Sequence, residues 1–91
     1  MRGVVKTHRF EVELRDLLGT GAKGADEFIE ATEWALARRA TIGSLITTDD
    51  PPVYFLPVVD VDRISRLIVY YTFDADYVYL MSIQVAVGTE N

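Results

Sequence analysis

The chain has no cysteine, so it has no disulfide, no thiolate metal ligand and no cysteine nucleophile. Its single histidine, His8, leaves little for a metal centre or a catalytic triad. No run approaches the roughly 18 apolar residues of a membrane span. The opening MRGVVKTHRF lacks the long apolar stretch of a signal peptide, so the expected location is cytoplasmic. Basic residues are scarce in the second half. Between positions 46 and 91 only Arg63 and Arg66 stand against Asp49, Asp50, Asp60, Asp62, Asp74, Asp76 and Glu90. A phosphate-tracking protein carries a clustered cationic footprint, and this chain of net charge −5 does not, so nucleic acid is not an expected partner.

What is present describes one small folded domain spanning residues 1–91. Hydrophobic residues make up 49% and charged residues 25%, the balance of an ordinary globular chain. No internal repeat, low-complexity segment or linker interrupts it.

His8, Phe10, Val12 and Leu14 alternate with Arg9, Glu11 and Glu13, which favours a strand over residues 3–14. The later part, EVELRDLL, is also compatible with a short helix. On a strand, His8 reads as a partly buried structural residue. Residues 25–40 form the clearest element, an amphipathic helix. Ala25, Phe28, Ile29, Thr32, Ala35 and Leu36 share one face, with acids toward its start and Arg38 and Arg39 at its end. Trp34 falls on the charged side. It reads first as a cover for Leu14, Leu17 and Leu18, and alternatively as an exposed anchor for a protein partner.

From residue 53 onward the pattern is an antiparallel meander. VYFLPVV is a strand whose Pro57 belongs on an edge or at a bulge. ISRLIVYYTF is a long strand with Leu67, Val69, Tyr71 and Phe73 in one row and Ile68 and Tyr70 in the other. DAD connects it to YVYLMSIQVAV. Such two-sided strands are central or covered on both faces. The tyrosines read mainly as packing residues, and Tyr54 and Tyr70 join Trp34 as candidates for a partner-binding surface.

Gly19, Gly21 and Gly24 in GTGAKG match the G-x-G-x-x-G spacing of dinucleotide loops. The context does not fit. The preceding segment carries Arg9, Glu11, Glu13, Arg15 and Asp16, where a buried parallel strand is apolar. No repeated βαβ units follow. The glycines read as a connection, and no nucleotide or other cofactor is expected. The paired aspartates lack any recognised metal-ligand spacing and read as turn residues, so no metal is expected either. No pattern around Ser44, Ser65 or Ser82 marks a nucleophile.

GADEFIEATEWALARRATIGSLI, followed by RLIVYYTFDADYVYLMSI, resembles the RelE/ParE superfamily of toxins from type II toxin–antitoxin systems. The resemblance covers about residues 25–86 and is one of pattern rather than of signature motifs. It implies a small α+β fold, an antiparallel sheet meander packed on one main helix. In the mRNA-cutting branch a strand Arg and a His or Tyr after the final strand do the chemistry. Here Ile68 aligns with that Arg, and Gln84 and Val85 with the G-H step. Arg63, Arg66 and Tyr71 are the weak catalytic candidates left to an endoribonuclease reading. The resemblance therefore implies a toxin-like protein without nuclease activity, of the gyrase-poisoning kind or inactive, that binds an antitoxin protein. A homo-oligomer covering its own sheet, as a structural or regulatory domain, is the alternative.

Overall fold

The computed structural model describes residues 1–19, 25–59 and 66–86. The chain runs β1 (Gly3–Lys6), α1 (His8–Gly19), α2 (Ala25–Arg38), a 3-10 turn (Ala40–Ile42), β2 (Ser44–Thr47), β3 (Val53–Val59), β4 (Arg66–Phe73) and β5 (Tyr77–Ala86). The five strands form one sheet in the order β1-β5-β4-β3-β2. β2 through β5 pair antiparallel with their sequence neighbours, and β1 lies parallel beside β5. The fold is α+β, and from residue 53 onward β3, β4 and β5 run antiparallel as expected, but β1 makes the sheet mixed and there are two helices rather than one main helix.

The second helix is the segment that alternation favoured as a strand. Phe10 and Leu14 fit both periods, and two other residues separate them. A strand would bury Val12, whereas a helix turns it outward and brings Leu17 onto the face of Phe10 and Leu14. Phe10 is fully buried, Leu14 and Leu17 pack against the same core, and Val12 is exposed. Thr7 starts the helix. Its Oγ1 accepts from the Phe10 amide at 3.3 Å, an N-cap bond, and donates to the Leu80 carbonyl at 2.8 Å. One side chain thus ends β1, caps α1 and ties both to β5. His8, in the first turn, is exposed rather than partly buried.

α2 keeps the expected face: Ile29, Thr32 and Leu36 are buried, together with Ala37 and, just beyond, Ala40. Against them the sheet presents Leu67, Val69 and Tyr71 from β4 and Val78, Leu80 and Ile83 from β5. Both helices bury residues against this one face. Lys6 Nζ at the end of β1 meets Glu33 Oε2 of α2 at 3.3 Å.

Tyr71 anchors the 3-10 turn. Its hydroxyl donates to the Ala40 carbonyl at 2.6 Å and accepts from the Gly43 amide at 2.9 Å. Burial pushes this hydroxyl's pKa up, against the lowering pull of the Gly43 N–H. Tyr54 stacks on Tyr71 at 5.5 Å and lies 5.0 Å from Phe73, whose ring in turn carries the Arg2 guanidinium. Pro57 pairs with β4 at Ile68, yet β2 reaches only to Phe55. The missing N–H of Pro57 therefore falls where β3 has no outer neighbour.

The DAD turn shows why aspartate stands there. Asp74 Oδ1 accepts from the amides of Asp76 and Tyr77, both at 2.8 Å, and Oδ2 accepts from the Tyr79 hydroxyl at 3.0 Å. The Tyr77 and Asp76 amides hold the Asp74 carboxyl below its ordinary pKa. Elsewhere, among the described residues, Thr72 Oγ1 is buried without a hydrogen-bond partner. Thr72→Val keeps the shape and removes the orphan, so it is expected to stabilise the fold by about 1 kcal/mol in urea unfolding.

Candidate functional site

The sheet face opposite the core holds a shallow groove of about 390 Å³. Its floor comes from Tyr70 of β4 and Met81, Ser82 and Gln84 of β5, with Val53 on one side and Thr7 and Arg9 on the other. Two irregularities place these groups. β1 stops at Lys6, leaving β5 unpaired on that edge beyond Leu80, and the β4–β5 register slips between Tyr70 and Tyr71.

Glu13 of α1 fills the gap that β1 leaves. Its Oε1 accepts from the Ile83 amide at 3.1 Å and from the Ser82 hydroxyl at 2.7 Å. Its Oε2 meets Arg9 Nε at 3.3 Å. Gln84 Nε2 donates to Ser82 Oγ at 3.3 Å, extending the chain of contacts across the groove floor. Partial burial alone would raise the Glu13 pKa. The hydrogen bonds from Ser82 and the Ile83 amide, with Arg9, outweigh that and hold it below the ordinary carboxylate value.

A depressed carboxylate contributes stability that is complete above its unfolded pKa and disappears as the pH falls through the lower folded value. Glu13→Gln is therefore expected to lower stability by about 1 kcal/mol at neutral pH, since charge-assisted hydrogen bonds become neutral ones. It is also expected to flatten the loss of stability in acid. Unfolding curves from pH 7 down to pH 3 check both; equal acid slopes for the two proteins would contradict the assignment.

Ser82 lies beside a carboxylate, yet one whose lowered pKa makes it a poor base near neutrality. Arg9, the cation among the described groove residues, is shared with Glu13. Among the described residues, no group of three or more His, Asp or Glu could hold a metal ion.

The residues singled out in the sequence do not converge. Tyr70 lines the groove, but Tyr54 is half-buried on the opposite face, stacked with Tyr71 and Phe73. Trp34 belongs to α2 and is 60% exposed, with the Arg38 guanidinium 5.7 Å from its ring. It is therefore not buried, as the first reading had it. Tyr71, a weak catalytic candidate, is fully buried and its hydroxyl is committed to the 3-10 turn. Arg63, Asp60, Asp62 and residues 20–24 of the glycine loop lie outside the described residues, as does the side chain of Arg66. Gly19 ends α1.

The cluster of Arg9, Glu13, Ser82 and Gln84 escaped the sequence reading. Glu13 is 69 positions from Ser82, and nothing local signals that α1 docks beside β5. Ile42, Leu45 and Ile46 are further exposed apolar side chains, around and within β2. No helix among the described residues is long and apolar enough to cross a membrane. No protein-family model matches the chain, and neither a curated protein nor a solved structure is significantly similar to it.

Proposed function

We propose that the chain is a toxin-like component of a type II toxin–antitoxin system of the RelE/ParE kind, acting by holding a protein rather than by cutting RNA. The toxin part of this reading rests on the resemblance over residues 25–86. In the structure a 3-10 turn and the extra strand β2 stand between α2 and the proline-bearing β3, which β4, the 74–76 turn and β5 then follow.

The observation that carries the protein-binding part is Trp34. A lone tryptophan held 60% exposed on a small domain, its ring flanked by Arg38, has the character of an interface anchor. Two features argue against a nuclease. A scissile phosphate needs cations and an acid or base poised near neutrality. Among the described residues the groove is lined by one arginine, which is paired with Glu13, and the carboxyl of Glu13 has a lowered pKa.

Induced production in bacteria tests the reading. Wild-type protein is expected to arrest growth, and Trp34→Ala to relieve the arrest while leaving unfolding stability within about 0.5 kcal/mol of wild type. Loss of this ring corresponds to about 2 kcal/mol of affinity, roughly thirtyfold. Full arrest by soluble, folded Trp34→Ala would remove Trp34 from the account.

A further inference from the structure

We infer that β2 is a self-pairing edge, through which two copies of the chain join antiparallel into one continuous sheet. β2 is the last strand of the sheet, so its outward N–H and C=O groups have no strand neighbour among the described residues. The other free edges are blocked. β1, at the far side, presents Lys6 bridged to Glu33; β5 beyond β1 is plugged by Glu13; and β3 beyond β2 carries Pro57. Charges and proline are the usual guards of an exposed edge. Ser44–Thr47 contains neither, and instead shows Leu45 and Ile46, each 49% exposed.

The charges flanking β2 select the occupant. Exposed Arg38 and Arg39 precede the strand, and exposed Asp49 and Asp50 follow it. None of Arg39, Asp49 and Asp50 forms an ion pair among the described residues. A two-fold axis through β2 brings the basic end of each copy to the acidic end of the other. A parallel arrangement would set like charges together. A second copy thus answers both ends at once and brings the same apolar pair to the seam, as an isologous interface requires. The register slip between Leu45 and Thr47 keeps the ladder short, so the buried area belongs to the small, weak class of interfaces.

Sedimentation velocity from about 5 to 500 µM reads this directly, independently of whether the chain arrests growth. A monomer–dimer equilibrium is expected, with a midpoint on the order of 10–100 µM. Arg39→Glu and Asp49→Lys are each expected to weaken it about tenfold, and Ile46→Lys to abolish it. The protein carrying both Arg39→Glu and Asp49→Lys restores opposite charges across the two-fold axis and is expected to return to within about threefold of wild type. Circular dichroism confirms that each variant is folded. A chain that stays monomeric throughout would overturn the inference. So would a dimer indifferent to Ile46→Lys, or single reversals that the combination fails to rescue. Protection of residues 44–47 only on adding a foreign extended peptide would assign the edge to another partner and equally overturn it.

Discussion

Gly43→Ala is expected to destabilise the protein by about 3 kcal/mol, through overpacking and lost hydrogen bonds rather than backbone strain. Gly43 has φ −80° and ψ 173°, a backbone that any residue adopts. The constraint is space. A methyl group there would collide with the Tyr71 hydroxyl and would stand 2.7 Å from the Phe55 carbonyl oxygen and 2.8 Å from a Tyr71 ring carbon. None of these can yield freely. The phenol is fully buried and bonded to both Ala40 and Gly43, and Phe55 is fixed in the β3 ladder. A domain of this size has a total stability of roughly 5–14 kcal/mol, so the loss is a large part of it. The expected fall in Tm is roughly 12–24 °C. Tyr71→Phe alone leaves two backbone groups without their partner and is expected to lose about 2 kcal/mol. Combined with Gly43→Ala it removes the atom nearest the new methyl, so the double variant should lose about 1 kcal/mol less than the sum. Urea unfolding of the four proteins checks the cycle; Gly43→Ala within 0.5 kcal/mol of wild type would refute the packing argument.

Phe10→Ala is expected to remove about 3–5 kcal/mol, the range for deleting a fully buried phenylalanine. The ring belongs to the core cluster with Ile29, Leu36, Leu80 and Ile83, and it holds the first turn of α1 against the sheet. Its loss should spread along α1. Glu13 lies one turn on, so its bond to the Ile83 amide weakens with the docking of the helix. Hydrogen exchange at Ile83 is therefore expected to accelerate in the most stable variant background that keeps Phe10→Ala folded. A loss below 1 kcal/mol would mean that α1 is held mainly by other contacts.

Phe10 also shows how far the sequence could be read. Its row with His8, Val12 and Leu14, alternating with Arg9, Glu11 and Glu13, points to a strand, and the competing helix becomes distinguishable only through Leu17 and the capping role of Thr7. β4 was easier. Its two rows, Leu67/Val69/Tyr71 and Ile68/Tyr70, carry the burial difference that a half-covered central strand dictates. The face of α2 was legible for the same reason, because Ile29, Thr32 and Leu36 repeat at helical spacing. β1 was not. Gly3–Lys6 is four residues long, and its parallel pairing with β5 joins segments more than 70 positions apart. The groove inherited that difficulty, since Glu13 and Ser82 meet only because β1 stops and α1 turns over the exposed end of β5. Trp34 posed a different problem. Its place on the charged side of α2 agreed with exposure, but the bare leucines of α1 offered an equally good apolar cover. Leu14 and Leu17 turn inward on their own helix, and the Arg38 guanidinium lies over the indole.

The functional account stands on binding without RNA cleavage, and the state of the transcripts in arrested cells tests it most directly. The 5′ ends of mRNA would be mapped before and shortly after induction of the wild-type chain, with soluble folded protein verified in the same culture. The account predicts growth arrest with an unchanged set of transcript ends, directing the search for a target to proteins, topoisomerases among them. New cleavage ends that disappear with Arg63→Ala or Arg66→Ala would contradict it and make the chain a ribonuclease. Undisturbed growth would contradict the toxin reading itself.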